Sequence, residues 1–273
     1  MKRGFNLDVP APEYHMCPAV SQSRLWRLRQ SSPLHVRYEM DHPREATAAM
    51  EFGRAVHCAV LEPERFALEF RAVFADGRTK EGKTERAEVE ASGATVLNAH
   101  DWLKCQAIRD ACASHKFASM LLDGKHETSM LWTDRESGLL CKGRVDVLGE
   151  RTGSVVDLKT TVSASPRDFE RSIYRYGYHV QAAHYMAGAR ACGMDAKHFV
   201  IIAVESAPPY AVAVYRLLDA VVQWGEEERR KLLTTWAACV SADDWPGYPA
   251  EVRDLSLPPW ATREIEEVTR DEF

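Results

Sequence analysis

The sequence predicts an α+β domain: a central mixed β-sheet of about five strands that opens with an antiparallel meander and is flanked by helices. Three observations predict it. Residues 127–161 contain three short runs rich in β-branched and aromatic residues, ETSMLWT, LLCKGRVDVLGE and GSVVDLKTT, parted by DRESG and by Arg151-Thr152. Two further runs, HFVIIAVES and YAVAVYRL, follow a helix-rich stretch and are joined by Pro208-Pro209. The flanking segments carry apolar residues at helical rather than alternating spacing.

In chain order, Ser21 and Ser23 cap the segment SRLWRLRQ, and Ser-Ser-Pro at 31–33 stops that helix and starts another. Residues 45–61 lack proline, present Phe52, Val56 and Val60 among alanines, and end before Pro63, which predicts one buried helix. The run at 76–93 is almost wholly polar and reads as an exposed loop, a mobile helix or a lid ordered by DNA. Residues 98–115 alternate Trp102, Leu103, Ile108 and Cys112 with charges and predict an amphipathic helix. Helix-rich sequence fills 166–192, and a long final helix covers 218–240.

With 45% hydrophobic and 27% charged residues, the 273-residue chain has the composition of a folded globular protein, which excludes disordered and fibrous classes. No apolar run approaches the eighteen or so residues of a membrane span, and the opening MKRGFNLDVPAPEYH lacks the apolar core of a secretory signal. Seven scattered cysteines, never spaced CxxC, argue against disulfides or structural zinc and predict reduced thiols in a cytoplasm. A net charge of −5 gives no ground for a nucleic-acid coat protein, while leaving room for a local basic groove. Without an internal repeat or linker we read one domain over 1–273: a largely helical part over 1–125, a sheet core over 126–217, and a C-terminal helix and tail over 218–273.

The chemistry concentrates between Gly143 and Thr161. A turn on Arg151-Thr152 places Asp146 directly opposite Asp157, with Cβ atoms about 5 Å apart, and puts Lys159 on the same face opposite Arg144. Val145, Val147, Val156 and Leu158 then fill the other face. Two carboxylates this close stay ionised together only with a cation between them. A hard divalent ion such as Mg²⁺ suits the arrangement, and Lys159 can then orient or deprotonate an attacking water, or add positive charge where a phosphorane-like state grows negative. The plainer reading pairs both acids with Arg144 and Lys159 on a solvated sheet face, and the residues alone leave the two open. If DRESG turns between Glu136 and Ser137, Glu127 falls opposite Asp146 as a third acid; a slip of one residue would turn it to the other face.

Four motifs stand in order: Gly53-Arg-Ala-Val-His57, Gly143-Arg-Val-Asp146, Asp157-Leu-Lys159 and Gln181-Ala-Ala-His-Tyr185. With HCAVLEPERF and YGYHVQAAHYMAG they resemble the PD-(D/E)xK nuclease superfamily, in particular its RecE-type, exodeoxyribonuclease VIII-like phage branch, over residues 14–240. The resemblance implies a restriction-endonuclease-like core. It implies that Asp146 and Asp157 bind the catalytic metal, Mg²⁺ or Mn²⁺, that the Leu158 carbonyl and His57 join the metal shell, and that Lys159 is the active-site lysine. Glu127 matches an acid that often holds the metal or its water. Gln181 and Tyr185, one turn apart on a helix face, give supporting contacts near the lysine. Gly53, one turn before His57, would allow close approach.

The implied activity is Mg²⁺-dependent exonucleolytic hydrolysis of linear double-stranded DNA, 5′-to-3′, leaving single-strand overhangs for recombination and repair. Partners would be DNA ends, a single-strand annealing protein of RecT or Bet type, and further copies of the chain in a ring, in the cytoplasm of a bacterial host carrying a phage or prophage. Arg24, Arg27, Arg29, Arg167, Arg171 and Arg175 are candidates for phosphate contact, and Trp26, Tyr174 and Tyr176 for stacking on an end base, against solvated or packing roles. The alternatives are a structure-specific endonuclease of the same fold and a non-catalytic DNA-end-binding protein. An iron-sulfur relative would need clustered cysteines that the chain lacks.

Overall fold

Apolar residues on three successive strands set the register of a meander on which the site is built. The computed structural model describes residues 1–43 and 47–257. In chain order the elements are β1 (Gly4–Asn6), α1 (Ala11–Met16), β2 (Val20–Ser21), α2 (Gln22–Gln30), α3 (Pro33–Asp41), α4 (Ala48–Leu61), α5 (Pro63–Glu69), β3 (Phe70–Val73), α6 (Lys80–Ala91), β4 (Thr95–Asn98), α7 (Ala99–Ser114) and α8 (Lys116–Leu121). The strands β5 (Lys125–Thr133), β6 (Leu140–Gly149) and β7 (Ser154–Thr161) follow, then α9 (Pro166–Arg175), α10 (Tyr178–Ala191), β8 (His198–Glu205), β9 (Val212–Arg216) and α11 (Asp219–Ala242).

The main sheet runs β1-β5-β6-β7-β8-β9, with β2 added in parallel beside β6. It is mixed: β7 and β8 are parallel, as a crossover through α9 and α10 requires, while β5-β6-β7 form the antiparallel meander. The sheet holds seven strands rather than the expected five or so. The added β1 and β2 span three residues and two, too short for a period to show. The parallel pair β3-β4, absent from the sequence reading, forms a separate small sheet.

Helices cover both faces, so the sheet is apolar on each. One core joins Met130, Val145, Val155, Phe199 and Ile201 to Leu25, Val180, Met186, Leu233 and Trp236. The other joins Val147, Val156, Leu158, Val200 and Ile202 to Ala55, Val56, Ala59 and Ile108. Val145 thus packs with the first core and not beside Val147, as strict alternation along β6 would have it. The polar run at 76–93 contains a helix, α6, capped by the Thr79 hydroxyl accepting from the Gly82 amide. Helix α4 begins at Ala48 with Thr47 as its cap, and Glu45, the expected start, lies outside the described residues. So does the end of the tail, from 258 onward.

Candidate metal-dependent active site

The strands part where the acids stand. Pairing of β6 with β7 runs through Gly149–Ser154, Leu148–Val155 and Val147–Val156 and stops there. The next inward amide, that of Leu158, donates to Asp146 Oδ2 at 2.6 Å, so a side chain takes over a bond that the ladder would have made. On the other side, β5 pairs His126 with Val147 and Thr128 with Val145, the register in which Glu127 falls opposite Asp146. Glu127 itself has φ +44°, a left-handed conformation that interrupts the strand.

This local opening turns Asp146 toward α4. Asp146 Oδ1 lies 3.4 Å from His57 Nδ1. Ligand atoms of His57, Glu127 and Asp146 all lie within 4.8 Å of one another, a group of two carboxylates and an imidazole. Asp157 stands outside that group. Its Oδ1 accepts from Gln181 Nε2 at 2.8 Å, and its Oδ2 is ion-paired with the ammonium of Lys159. Lys159 therefore does not face Arg144, as an unbroken hairpin would have required. Arg144 lies over the Tyr14 ring at 4.5 Å and donates to Ser129 Oγ and the Val9 carbonyl. Tyr185 is half-buried below the same strand, and a Cβ on Gly143 would come 3.2 Å from its ring, which accounts for glycine at that motif position. Leu158 packs its side chain in the second core.

The electrostatics follow from burial and like charge. Burial and the charge of Asp146 raise Glu127 to about 7, with His57 and Arg144 opposing. Burial alone would lower His57, but the charge and hydrogen bond of Asp146 outweigh it and hold it at about 9. Asp146 is the converse: burial raises it, yet His57, Lys159 and the Leu158 amide bring it below the ordinary carboxylate range. Asp157 is pushed up to about 6 by burial and Asp146, against the pull of Lys159. Burial works against the charge of Lys159, but Asp157 and Asp146 win and raise it above its ordinary value. Tyr185 is pushed well above the tyrosine range by burial and by Tyr14, Asp157 and Asp146.

Of the predicted site residues, His57, Glu127 and Asp146 come together, and Asp157, Lys159 and Gln181 form an adjoining bonded chain. Gly53 has no close neighbour for an added Cβ to meet, so the close approach expected there is not made. Tyr178, three residues before Gln181 on α10, stands against Lys159; a search for residues sharing the Gln181 helix face would have found it. Tyr14, by contrast, reaches the site from α1, and no pattern in the sequence points to it. Trp26 is not free to stack on a base: it packs edge-on against His179 and beneath Gly177. Arg27 and Arg29 are engaged by Glu39 and Glu228, and Arg24 donates to the Ala19 carbonyl, whereas Arg167, Arg171, Arg175, Tyr174 and Tyr176 are exposed.

An interrupted antiparallel pair carrying an acid on one strand and Asp-Leu-Lys on the next, with a helical crossover behind, defines a PD-(D/E)xK-type fold. The comparisons agree. Residues 21–255 match the family described as "PDDEXK-like domain of unknown function (DUF3799)", and the chain belongs to that family. No curated protein matches it. The crystal structure of a candidate exonuclease from Eubacterium rectale superposes with a TM-score of 0.63 at 13% identity, covering 93% of this chain and 96% of that one. A far looser likeness, TM-score 0.33 at 13% identity over 70% of this chain and 95% of the other, is to the crystal structure of a phage-related exonuclease from Haemophilus somnus 129PT, and nothing is built on it.

Proposed function

We propose that this chain is a divalent-metal-dependent DNA exonuclease acting on the ends of linear duplex DNA in the 5′-to-3′ sense and leaving single-strand overhangs for recombination. One observation carries the reading: ligand atoms of His57, Glu127 and Asp146 converge within 4.8 Å beside an acid–lysine pair on the fold's open strands. The donor set fits Mg²⁺ or Mn²⁺ through its two carboxylates, the hard donors that both ions favour, with the imidazole as a third ligand. Without a cation, burial and the charge of Asp146 together hold Glu127 near 7. A bound ion supplies Lewis-acid charge to the phosphate.

The chain's own residues do the rest. Lys159, held charged by Asp157 and Asp146, stabilises negative charge developing on the phosphate; its raised pKa suits that role and disfavours one as general base. Gln181 fixes Asp157 by donating to Oδ1, leaving Oδ2 to Lys159. His57, held on α4 between the buried Val56 and Cys58, orients Asp146 through the contact of its Nδ1 with Oδ1. A ring of identical subunits, a single-strand annealing partner and action in a bacterial cytoplasm complete the proposal. Among the described residues no helix is long and apolar enough to cross a membrane.

The test is incubation with linear duplex labelled at each terminus in turn, beside covalently closed circular DNA, with and without Mg²⁺. The proposal expects label release from 5′ ends, dependent on Mg²⁺, and an intact circle. Cleavage of the circle would move the assignment to an endonuclease, and no hydrolysis of any DNA would reject it.

A further inference from the structure

The Lys159 ammonium lies between an acid and a ring. On one side it meets Asp157. On the other stands Tyr178, and past it, at the end of β7, is a cavity of about 680 Å³ lined by Thr160, Thr161, Asp168, Arg175 and Tyr176. Tyr178 belongs to both sides: it lines the cavity, and its ring centroid lies 5.0 Å from Lys159 Nζ. A lysine carries about 2 kcal/mol of rotamer freedom, so a ring packed on the ammonium helps to keep it at one acid.

The backbone is built to put the ring there. Helices α9 and α10 break at Gly177, whose φ of +70° is left-handed and whose missing Cβ would fall 2.3 Å from Trp26 Cδ2. The turn is thereby fixed against Trp26, and Tyr178 becomes the first residue of α10. Gln181, which holds Asp157, is three residues on and shares that helix face. One face of one helix therefore holds both members of the acid–lysine pair, the acid by an amide and the lysine by a ring.

We propose that Tyr178 is a positioning residue for Lys159: its ring closes the cavity to the ammonium and holds it, by cation–π attraction, against Asp157. The proposal rests on the nuclease reading for its consequence and on the ring–ammonium contact for its geometry. Tyr178→Phe keeps the ring and should stay within about twofold of wild type. Tyr178→Leu stays apolar but removes the ring and its π face, and should lose about tenfold in kcat at unchanged KM for DNA. Wild-type kcat in Tyr178→Leu, or an equal fall in Tyr178→Phe, would overturn it.

A second readout needs no hydrolysis. In protein labelled with ¹³C-lysine, the ε-methylene protons of Lys159, identified by their loss in Lys159→Arg, should resonate upfield under the ring current. They should remain so in Tyr178→Phe and return to ordinary lysine positions in Tyr178→Leu. Ordinary positions already in the wild type would overturn the proposal even if the leucine variant fails to fold. A wild type inactive on every DNA would reject the nuclease reading while the lysine resonances still decide the role of Tyr178.

Discussion

Replacing Glu127 by glutamine removes an acid that its surroundings push toward the neutral form. Burial and the charge of Asp146 raise Glu127 from 4.5 to about 7. Each pKa unit is worth about 1.4 kcal/mol, so ionising Glu127 in the folded, metal-free protein costs about 3 kcal/mol relative to the unfolded chain. The folded pKa lies above the unfolded one. The cost is therefore absent below about pH 4.5, grows as pH rises and is complete above about pH 7. Metal-free Glu127→Gln should match the wild type near the bottom of that window and exceed it at pH 8 by up to about 3 kcal/mol, several degrees in Tm. A saturating divalent ion should reverse the order, because it binds the ionised carboxylate of the wild type and so offsets the cost. The assay is thermal or urea unfolding at pH 5 and pH 8, in EDTA and in Mn²⁺. Equal stability of the two proteins at pH 8 in EDTA, or equal stabilisation of both by Mn²⁺, would refute the electrostatic account of the site.

Three other outcomes follow. Metal binding should release about two protons near pH 6, one each from Glu127 and His57, and about one near pH 8, where only His57 with its pKa of about 9 still carries the exchangeable proton; calorimetry in buffers of different ionisation enthalpy counts them. Asp157→Asn should cut hydrolysis by at least about a hundredfold while unfolding cooperatively, since it removes the partner that holds Lys159 charged; undiminished hydrolysis would show that the site is elsewhere. Gly177→Ala should lower stability by about 1–3 kcal/mol in urea, because φ +70° is strained for alanine and the added Cβ would fall 2.3 Å from Trp26 Cδ2; an unchanged midpoint would contradict the turn geometry.

Much of this site was legible because β-sheet chemistry is periodic. The valines of β6 and β7 and the turn at Arg151-Thr152 set a register that the structure keeps at Val147–Val156, and the DRESG loop set the one that brings Glu127 across from Asp146. What the period could not show is where it fails. The ladder opens at Asp146, Val145 drops to the opposite core, and the acid turns to His57, leaving Asp157 to Lys159 and Gln181. These are departures from alternation, driven by a side chain replacing a backbone bond. The short strands β1 and β2 were illegible for the opposite reason: two or three residues hold no period, and they exist only because the edge of β5, and the edge of β6 beyond its pairing with β7, are there to receive them. Helix α6 was hidden by its polarity, since an exposed helix carries little apolar stripe.

Hydrolysis of end-labelled linear duplex in Mg²⁺ by the wild type and by Asp146→Asn, side by side, reaches the heart of the matter. Asp146 touches both halves of the site, His57 through Oδ1 and the Leu158 amide of the Asp157–Lys159 strand through Oδ2. Rapid Mg²⁺-dependent release of label by the wild type, with none above background from a folded Asp146→Asn, is the expected result. Equal release by the two proteins would contradict it.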